Sequence, residues 1–303
     1  MTDILRVGLV GAGVFGGYHA SKIAEAPNVS FQGVFSADPL RGETVAGRHG
    51  VTAFEDLETL LDASDAVIIA TPATSHSLLV EAALEADCHV LVEKPLATSV
   101  DAATALADLA EAKQRVLQIG HQERYICDAL SLFDLAEPPE RIEFVRHSLP
   151  PRNGRALDVS VVWDLAIHDL DMLALMLDRQ ITLETARGRA QLGPQMDEVA
   201  ARLSTGSCAV DVSVSRLSDH PQRTIRIGWR KGEALVDFGA RQITVEGETP
   251  YAADFADAPA DPLLLADQAF FEACRSDRES PIPARSVLTA IDLAERIERT
   301  IAQ

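Results

Sequence analysis

The chain has 303 residues, of which 47% are hydrophobic and 24% charged, and its formal net charge is -19. This length is sufficient for two domains with separate cores, and the composition is that of a globular protein rather than a disordered one. The negative charge argues against nucleic acid as a partner, because phosphates require a basic surface. No apolar run approaches the ~20 residues that cross a bilayer, so we expect no membrane partner.

Cysteine usage and the start of the chain bear on the compartment. Cys88, Cys127, Cys208 and Cys274 are scattered and form no Cys-x-x-Cys pair of the kind found in zinc or redox sites. A predicted strand begins almost at the first residue, which leaves no room for a signal peptide before it. We therefore expect a cytoplasmic protein with reduced thiols.

A predicted strand, a tight turn and a helix open the chain. Gly11, Gly13 and Gly16 fit the pattern Gly-x-Gly-x-x-Gly between the strand and the helix, which is the context of a dinucleotide-binding turn. The first glycine allows the turn, the second lets the backbone approach a pyrophosphate, and the third lets the helix pack on the strand. We expect Val14 and Phe15, at the helix N-terminus, to border the phosphates. A purely structural glycine turn is the alternative.

The end of the second predicted strand bears on the form of the cofactor. About 20 residues after the glycine turn, an acid usually binds the adenosine ribose of NAD. Ser36 stands there instead, and Arg41 follows. A small neutral side chain next to an arginine leaves room for a 2'-phosphate, so the sequence favours NADP over NAD. Asp38 could still bind the ribose in a shifted register, and Arg41 could be a solvated helix residue.

Two further predicted strands end in residues suited to a site. The first runs into Ala70, Thr71 and Pro72, and the second into Glu93 and Lys94, which a proline follows. The carboxyl ends of parallel strands carry the site in doubly wound sheets, so we expect Ala70, Thr71 and Pro72 to border the cofactor. Lys94 is placed for chemistry beside an acid and before a proline that stiffens the turn. A plain surface lysine is equally consistent with this pattern.

Strands and helices alternate up to about residue 121, which predicts a parallel, doubly wound sheet with right-handed crossovers. From Arg141 the pattern is mostly strands with short turns, as in antiparallel hairpins. We therefore predict an α/β protein with an NAD(P)-binding Rossmann domain over residues 1–121. Residues 122–303 would form an α+β domain with a large, mostly antiparallel open sheet. This second domain would bind substrate and, through the uncovered face of its sheet, form a homodimer or homotetramer.

A predicted helix from Val162 to Leu177 carries a cluster of polar side chains. Asp164, His168 and Asp171 are spaced i, i+4 and i+7, which puts them on one face of a regular α-helix. A structural hydrogen bond between His168 and either acid would account for the cluster. Imidazole and carboxylates also suit a metal, but no second histidine lies on that face, so we expect none.

Four motifs occur together in this chain: Gly11–Gly16, Ala70-Thr71-Pro72 with His76, Glu93-Lys94-Pro95, and Asp164 with His168. Together they resemble the glucose-fructose oxidoreductase / inositol dehydrogenase / MocA family, and the resemblance covers the whole chain. Residues 120–125 and 164–171 are most similar to the branch of UDP-N-acetylglucosamine 3-dehydrogenase-like members.

The resemblance implies an NAD(P)-dependent dehydrogenase that moves a hydride between a sugar or nucleotide-sugar hydroxyl carbon and nicotinamide. It implies that His168 is the base that takes the hydroxyl proton and that Lys94 stabilises the alkoxide or relays the proton. Asp164 would orient this pair. Glu93 would fix the lysine and, with Lys94 and His76, border the cofactor. An inositol, a free sugar or a non-sugar carbonyl could be the substrate instead, and a non-catalytic dinucleotide-binding regulator is the alternative of another class.

Basic side chains are concentrated ahead of the Asp164 helix. Between residues 141 and 155 only one acid, Glu143, faces five basic residues, which are Arg141, Arg146, His147, Arg152 and Arg155. Guanidinium groups bind phosphate and carboxylate oxygens bidentately. We therefore expect Arg152 and Arg155, together with Arg124 and Tyr125, to contact a charged substrate such as a nucleotide sugar. The alternative is that these arginines pair with acids of the protein itself.

Overall fold

A computed structural model describes residues 4–151, 157–177, 180–276 and 278–303. The chain forms two compact units, the first made of Met1–Gln122 with Asp261–Leu288 and the second of Glu123–Ala260 with Thr289–Gln303. The sequence-based division placed every residue after 121 in the second domain. The structure differs from it, because Asp261–Leu288 return to the first unit.

The first unit is built on a six-stranded sheet with helices between its strands. Its elements up to residue 119 are β1 Leu5–Val10, α1 Val14–Glu25, β2 Val29–Phe35, α2 Pro39–His49, β3 Thr52–Phe54, α3 Leu57–Asp62, β4 Ala66–Ile69, α4 His76–Glu85, β5 His89–Val92, α5 Val100–Lys113 and β6 Leu117–Ile119. The strand order is β3-β2-β1-β4-β5-β6, and neighbouring strands run parallel. This confirms the predicted Rossmann sheet, whose order reverses between β1 and β4, where such sheets bind ligands.

The remaining elements are listed here in chain order: α6 Glu123–Ala129, β7 Arg141–His147, α7 Ile167–Met176, β8 Thr182–Arg189, β9 Glu198–Thr205, β10 Cys208–Ser215, β11 Gln222–Trp229, β12 Gly232–Asp237, β13 Gln242–Gly247, α8 Pro262–Arg275 and α9 Leu288–Ile301. The seven strands of the second unit lie in the order β13-β12-β11-β7-β10-β9-β8. Strands β7 and β10 are parallel and the other neighbours antiparallel. The prediction of a large, mostly antiparallel sheet is therefore confirmed. The parallel pair was not predicted, because hairpin signals connect only consecutive strands.

The burial of the strands explains why the first sheet could be predicted. Every residue of β4 is buried, as are Val90, Leu91 and Val92 of β5. Strands covered by helices on both faces appear in a sequence as continuous apolar runs. The short strand β3 has one exposed and two partly buried residues, so its sequence carries no such run and the strand was not predicted.

Helix α8 returns to the first unit because its apolar side chains complete that core. Phe270 and Phe271 are 0% and 2% exposed and belong to the same cluster as residues of β1 and β5. The buried side chain of Gln118 in β6 adds a polar attachment: its Nε2 donates to the carbonyl of Ala266 at 2.8 Å, and its Oε1 accepts from Ser280 Oγ at 2.8 Å. Neither contact has a local sequence signal.

The two faces of the second sheet differ in character. One face is apolar, with Ile142, Phe144 and Val212 buried. The opposite face carries ion pairs that link neighbouring strands, among them Asp211 with Arg202 at 3.0 Å and with Arg141 at 3.3 Å. An antiparallel sheet can leave such a polar face in water. Assembly into a dimer or tetramer through this face therefore stays a prediction, and covering apolar surface is not a reason for it.

Two observations concern the chain's environment. Among the described helices, none combines the length and apolar character that a bilayer crossing requires. The four cysteines all lie in described parts of the chain and are free thiols.

Candidate active site

The glycine turn between β1 and α1 has the geometry of a dinucleotide site. Gly11 has φ +104°, and a Cβ on it would lie 2.4 Å from the carbonyl oxygen of Ala70, so only glycine fits there. A Cβ on Gly16 would lie 2.1 Å from the carbonyl oxygen of Gly11, which shows how closely α1 approaches the turn. By contrast, no described atom lies within 4 Å of a Cβ built on Gly13.

Open space over Gly13 is what a bound pyrophosphate requires. Gly13 is the N-cap residue of α1, with φ -76°, and no side chain caps the helix there. A helix N-terminus presents unsatisfied N–H groups, and its dipole favours anions. The backbone of Gly13 has no need for glycine, so the open approach to these N–H groups accounts for it. The residues present therefore fit a dinucleotide, with Val14 half-exposed at the first turn of the helix.

At the end of β2, an acid and an arginine are paired. Asp38 caps α2 by accepting from the backbone N–H of Arg41 at 3.3 Å, and its Oδ2 lies 3.0 Å from Arg41 Nε. Ser36 Oγ accepts from the backbone N–H of Asp38 at 3.3 Å. A 2'-phosphate at Ser36 would therefore compete with Asp38 for the guanidinium of Arg41.

His76 holds two loops of the site together. Its side chain is buried, with Nδ1 2.7 Å from the carbonyl oxygen of Pro95 and Nε2 3.0 Å from that of Thr71. Burial lowers the pKa of His76, although both carbonyl oxygens favour the proton. Because both ring nitrogens contact backbone oxygens, His76 positions the loops after β4 and β5. A direct contact between His76 and the cofactor stays a prediction.

Glu93 follows β5 and belongs to a buried row of charges. It is 7% exposed, and its Oε1 lies 3.1 Å from Nε2 of His19 in α1. On the other side of the ring, His19 Nδ1 lies 2.9 Å from Oδ2 of Asp267 in α8. Burial opposes the charged ring, but the carboxylates of Asp267 and Glu93 outweigh it and raise the pKa of His19 to about 10.

Sequence reasoning missed this row. His19 and Asp267 are 248 residues apart, and no local pattern connects them. The available signal was His19 itself, a histidine on the buried side of the helix that follows the glycine turn.

In the second unit, the predicted helix from Val162 begins with a different geometry. Val162–Ala166 form a π-helix, which continues into α7 at Ile167. The wider π turn changes the angle between Asp164 and His168, and the sharing of one helix face by these two residues stays a prediction. Single π turns inside helices occur frequently at functional sites.

Two acids of α7 bind arginines. Asp171 accepts from Arg124 Nε at 2.7 Å and from Nη2 at 2.5 Å, and both residues are buried. Asp169 accepts from Arg146 Nη2 at 2.7 Å. The guanidinium of Arg124 thus binds Asp171 bidentately within the protein, and its expected contact with a substrate stays a prediction.

Glu123, the first residue of α6, was not singled out from the sequence, yet its carboxylate lies next to His168. Its Oε1 lies 3.4 Å from His168 Nδ1, and its Oε2 lies 2.9 Å from Arg146 Nη2 and 2.6 Å from Arg223 Nη2. Burial opposes ionisation, but the charges of Arg146, His168 and Arg223 hold the pKa of Glu123 well below its usual range. Glu123 is therefore a carboxylate at neutral pH.

Other predicted site residues are distributed as follows. Lys94 belongs to the first unit, whereas Asp164 and His168 belong to the second. Tyr125 lies in α6 beside Arg124, and Arg152 and Arg155 lie outside the described residues. Within the described ranges, no three His, Cys, Asp or Glu side chains gather as metal ligands would.

The known proteins that this chain resembles in sequence agree with those that it resembles in structure. Residues 5–121 match the Gfo/Idh/MocA oxidoreductase family, NAD-binding Rossmann fold. UDP-N-acetylglucosamine 3-dehydrogenase of Acidithiobacillus ferrooxidans is 34% identical over 238 residues, which are 77% of this chain and 74% of that protein. A solved structure of UDP-N-acetylglucosamine 3-dehydrogenase from the same organism superimposes with a TM-score of 0.87 at 27% identity, covering 99% of this chain and 98% of that one.

A relative with a different substrate matches more weakly. Inositol 2-dehydrogenase of Acidothermus cellulolyticus is 27% identical over 231 residues, 70% of this chain and 66% of that protein. The motifs, the parallel sheet and these matches agree, and the chain belongs to the Gfo/Idh/MocA family of oxidoreductases with an NAD-binding Rossmann fold.

Proposed function

We propose that the protein is an NAD(P)-dependent dehydrogenase that oxidises a hydroxyl carbon of a nucleotide sugar. The assignment of the cofactor rests on the open space over Gly13 at the N-terminus of α1. The backbone N–H groups of Val14 and Phe15 hold the pyrophosphate, and Ala70, Thr71 and Pro72 border the cofactor. When bound, the nicotinamide supplies the hydride chemistry.

His168 is the base in this proposal. Oxidation of an alcohol requires that the hydroxyl proton leave, and an imidazole is suited to accept it near neutral pH. Glu123 lies on the Nδ1 side of the ring, and in this proposal Nε2 faces the substrate hydroxyl. Because Arg146 and Arg223 keep Glu123 ionised, Glu123 orients the ring and does not take the proton itself.

Lys94 acts on the same oxygen. As an ammonium, it stabilises the negative charge that develops on the substrate oxygen as the proton leaves. Asp164, on the π turn, orients the lysine and the histidine.

Similarity supports a nucleotide sugar over the other substrates. The relative that is 34% identical is named for a nucleotide sugar, whereas the inositol 2-dehydrogenase is 27% identical. Arg152 and Arg155 are the candidates we favour to bind the diphosphate, because Arg124, Arg141 and Arg146 pair with acids of the protein. A panel of a nucleotide sugar, its free sugar and inositols tests this, and equal efficiency with the free sugar would contradict it.

We further propose that Asp38 and Arg41 together set the choice between NAD and NADP. Ser36 and Arg41 favour a 2'-phosphate, as we inferred from the sequence. Asp38 opposes it, since its carboxylate binds Arg41 and repels a second anion. The preference for NADP is therefore smaller than Ser36 alone predicts.

Gly13→Ala tests the cofactor site. We expect the dissociation constant for NAD(P) to rise at least about tenfold, because the methyl group occupies the approach to the pyrophosphate, while the melting temperature changes little. Isothermal titration calorimetry and thermal unfolding measure the two quantities. Gly47→Ala in α2, where a Cβ also meets open space, is the matched control. Unchanged affinity in Gly13→Ala would place the pyrophosphate elsewhere.

Lys94→Ala and His168→Ala test the catalytic assignment. Each should lower kcat by about a hundred- to ten-thousand-fold, as losses of acid-base groups do, with little change in cofactor affinity. Initial rates of cofactor reduction and a binding titration provide both readouts. Near-normal turnover in both variants would refute the assignment.

Glu123→Gln tests the orienting carboxylate through pH dependence. The protonated His168 ring loses its carboxylate partner while Arg146 and Arg223 remain, so protonation of the ring becomes less favourable. The acidic limb of the kcat/KM profile should therefore move to lower pH by about one unit. Glu143→Gln, on the polar face of β7, is the control and should leave the limb in place. An unmoved limb in Glu123→Gln would show that Glu123 does not act on the base.

Asp38→Asn tests the cofactor choice. Releasing Arg41 and removing a negative charge should raise kcat/KM with NADP relative to NAD several-fold, whereas Ser36→Asp should shift the ratio toward NAD. Both ratios come from initial rates with each cofactor. If Asp38→Asn instead lowers the relative efficiency with NADP, Asp38 does not oppose the 2'-phosphate.

A further inference from the structure

The turn that carries Lys94 is held on both sides by buried histidines. His19 contacts the carboxylate of Glu93, and His76 contacts the carbonyl oxygen of Pro95. Both histidines are at most 1% exposed. Lys94 lies between these two attachments, so the chain is held immediately before and immediately after the lysine.

The Glu93 carboxylate has little room to move. A Cβ added to Gly120 would lie 3.0 Å from Glu93 Cδ and 3.1 Å from Oε1, so the backbone of Gly120 packs directly against the carboxylate. A buried carboxylate without a partner is costly, and His19 is the partner in contact with Oε1. The position of Glu93 therefore depends on the position of the His19 ring.

The His19 ring in turn depends on Asp267. The carboxylate of Asp267 is 0% exposed and contacts the second ring nitrogen of His19 at 2.9 Å. Asp267 sits in α8, next to Ala266, whose carbonyl oxygen accepts from Gln118, and close to the core residues Phe270 and Phe271. Helix α8, late in the chain, thus supplies a rigidly placed acid to a motif in the N-terminal half of the chain.

We propose that Asp267 and His19 are positioning residues for Lys94, with Asp267 holding a cationic His19 ring that fixes Glu93 and thereby aims the neighbouring lysine. This inference rests on the proposed catalytic role of Lys94. A merely structural role for the row would affect folding but would act independently of Lys94.

A double-mutant cycle separates the two roles. Cofactor reduction is measured for the wild type, His19→Gln, Lys94→Ala and the double variant, with exposed His220→Gln as the control. We expect His19→Gln to lower kcat at least about tenfold in the wild-type background and to have no further effect in the Lys94→Ala background, because residues that act as a unit are not additive. The KM for cofactor should stay within about threefold. Equal losses in both backgrounds, or normal kcat in His19→Gln, would overturn the proposal.

The same experiment distinguishes this proposal from the proposed function. If Lys94→Ala retains wild-type turnover, the catalytic role of Lys94 fails. If Lys94→Ala loses turnover while His19→Gln keeps it, only the positioning role fails.

A second measurement needs no variant. The charged groups around the His19 ring are Glu93 and Asp267, with Lys22 on the next turn of α1 bound to Asp261. In ¹⁵N-histidine spectra both ring nitrogens of His19 should remain protonated from neutral pH until the pH approaches 10. His89, at the other end of β5, is an internal reference, since burial and the charge of Arg115 lower its pKa to about 4. A neutral His19 ring at pH 7 would overturn the proposal.

Discussion

A buried carboxylate at the carboxyl end of an inner strand needs a buried cation, and this requirement links β5, α1 and α8 in the first unit. Glu93 is 7% exposed beside the proposed catalytic lysine, where an unpaired charge would cost several kcal/mol. His19 provides the cation, and Asp267 keeps that ring charged. Asp267 comes from α8, a helix that follows the whole second sheet and belongs to the first unit. Phe270 and Phe271 are buried in the core of the first unit and stabilise the packing of this helix there.

In the second unit, another histidine likewise lies beside a buried carboxylate that is paired with opposite charges. His168 lies beside Glu123, and Arg146 and Arg223 hold Glu123 in its ionised form. Arg146 also binds Asp169, which ties the start of α6 to α7 through β7. In both units the candidate catalytic side chain is supported by buried, paired charges. Groups fixed in this way need little reorganisation when charge develops on a substrate oxygen, which is the property a dehydrogenase site requires.

The sequence predicted those parts of the fold and site that have local signals. The Rossmann sheet follows from continuous apolar strands. The turn after its first strand follows from glycines, two of which lie where a side chain would not fit and one of which leaves open space. The π turn at Asp164 could not be predicted, because helical-face arguments assume 3.6 residues per turn. The pairing of Arg124 with Asp171 and of His19 with Asp267 joins residues far apart in the chain. Charge pairing at such separations leaves no pattern in a single sequence.

The proposed oxidation of a nucleotide sugar is tested most directly by following the hydrogen atom that leaves the sugar. The protein is incubated with oxidised cofactor and UDP-N-acetylglucosamine carrying deuterium at carbon 3 of the sugar, the position named in the similar enzyme of Acidithiobacillus ferrooxidans. Mass spectrometry of the recovered cofactor and single-turnover rates are then measured. The account predicts that deuterium appears in the reduced nicotinamide and that deuterated substrate reacts more slowly than the unlabelled sugar. Reduced cofactor without deuterium would show that a carbon other than carbon 3 is oxidised. No reduction with this or any other nucleotide sugar would contradict the proposed substrate class.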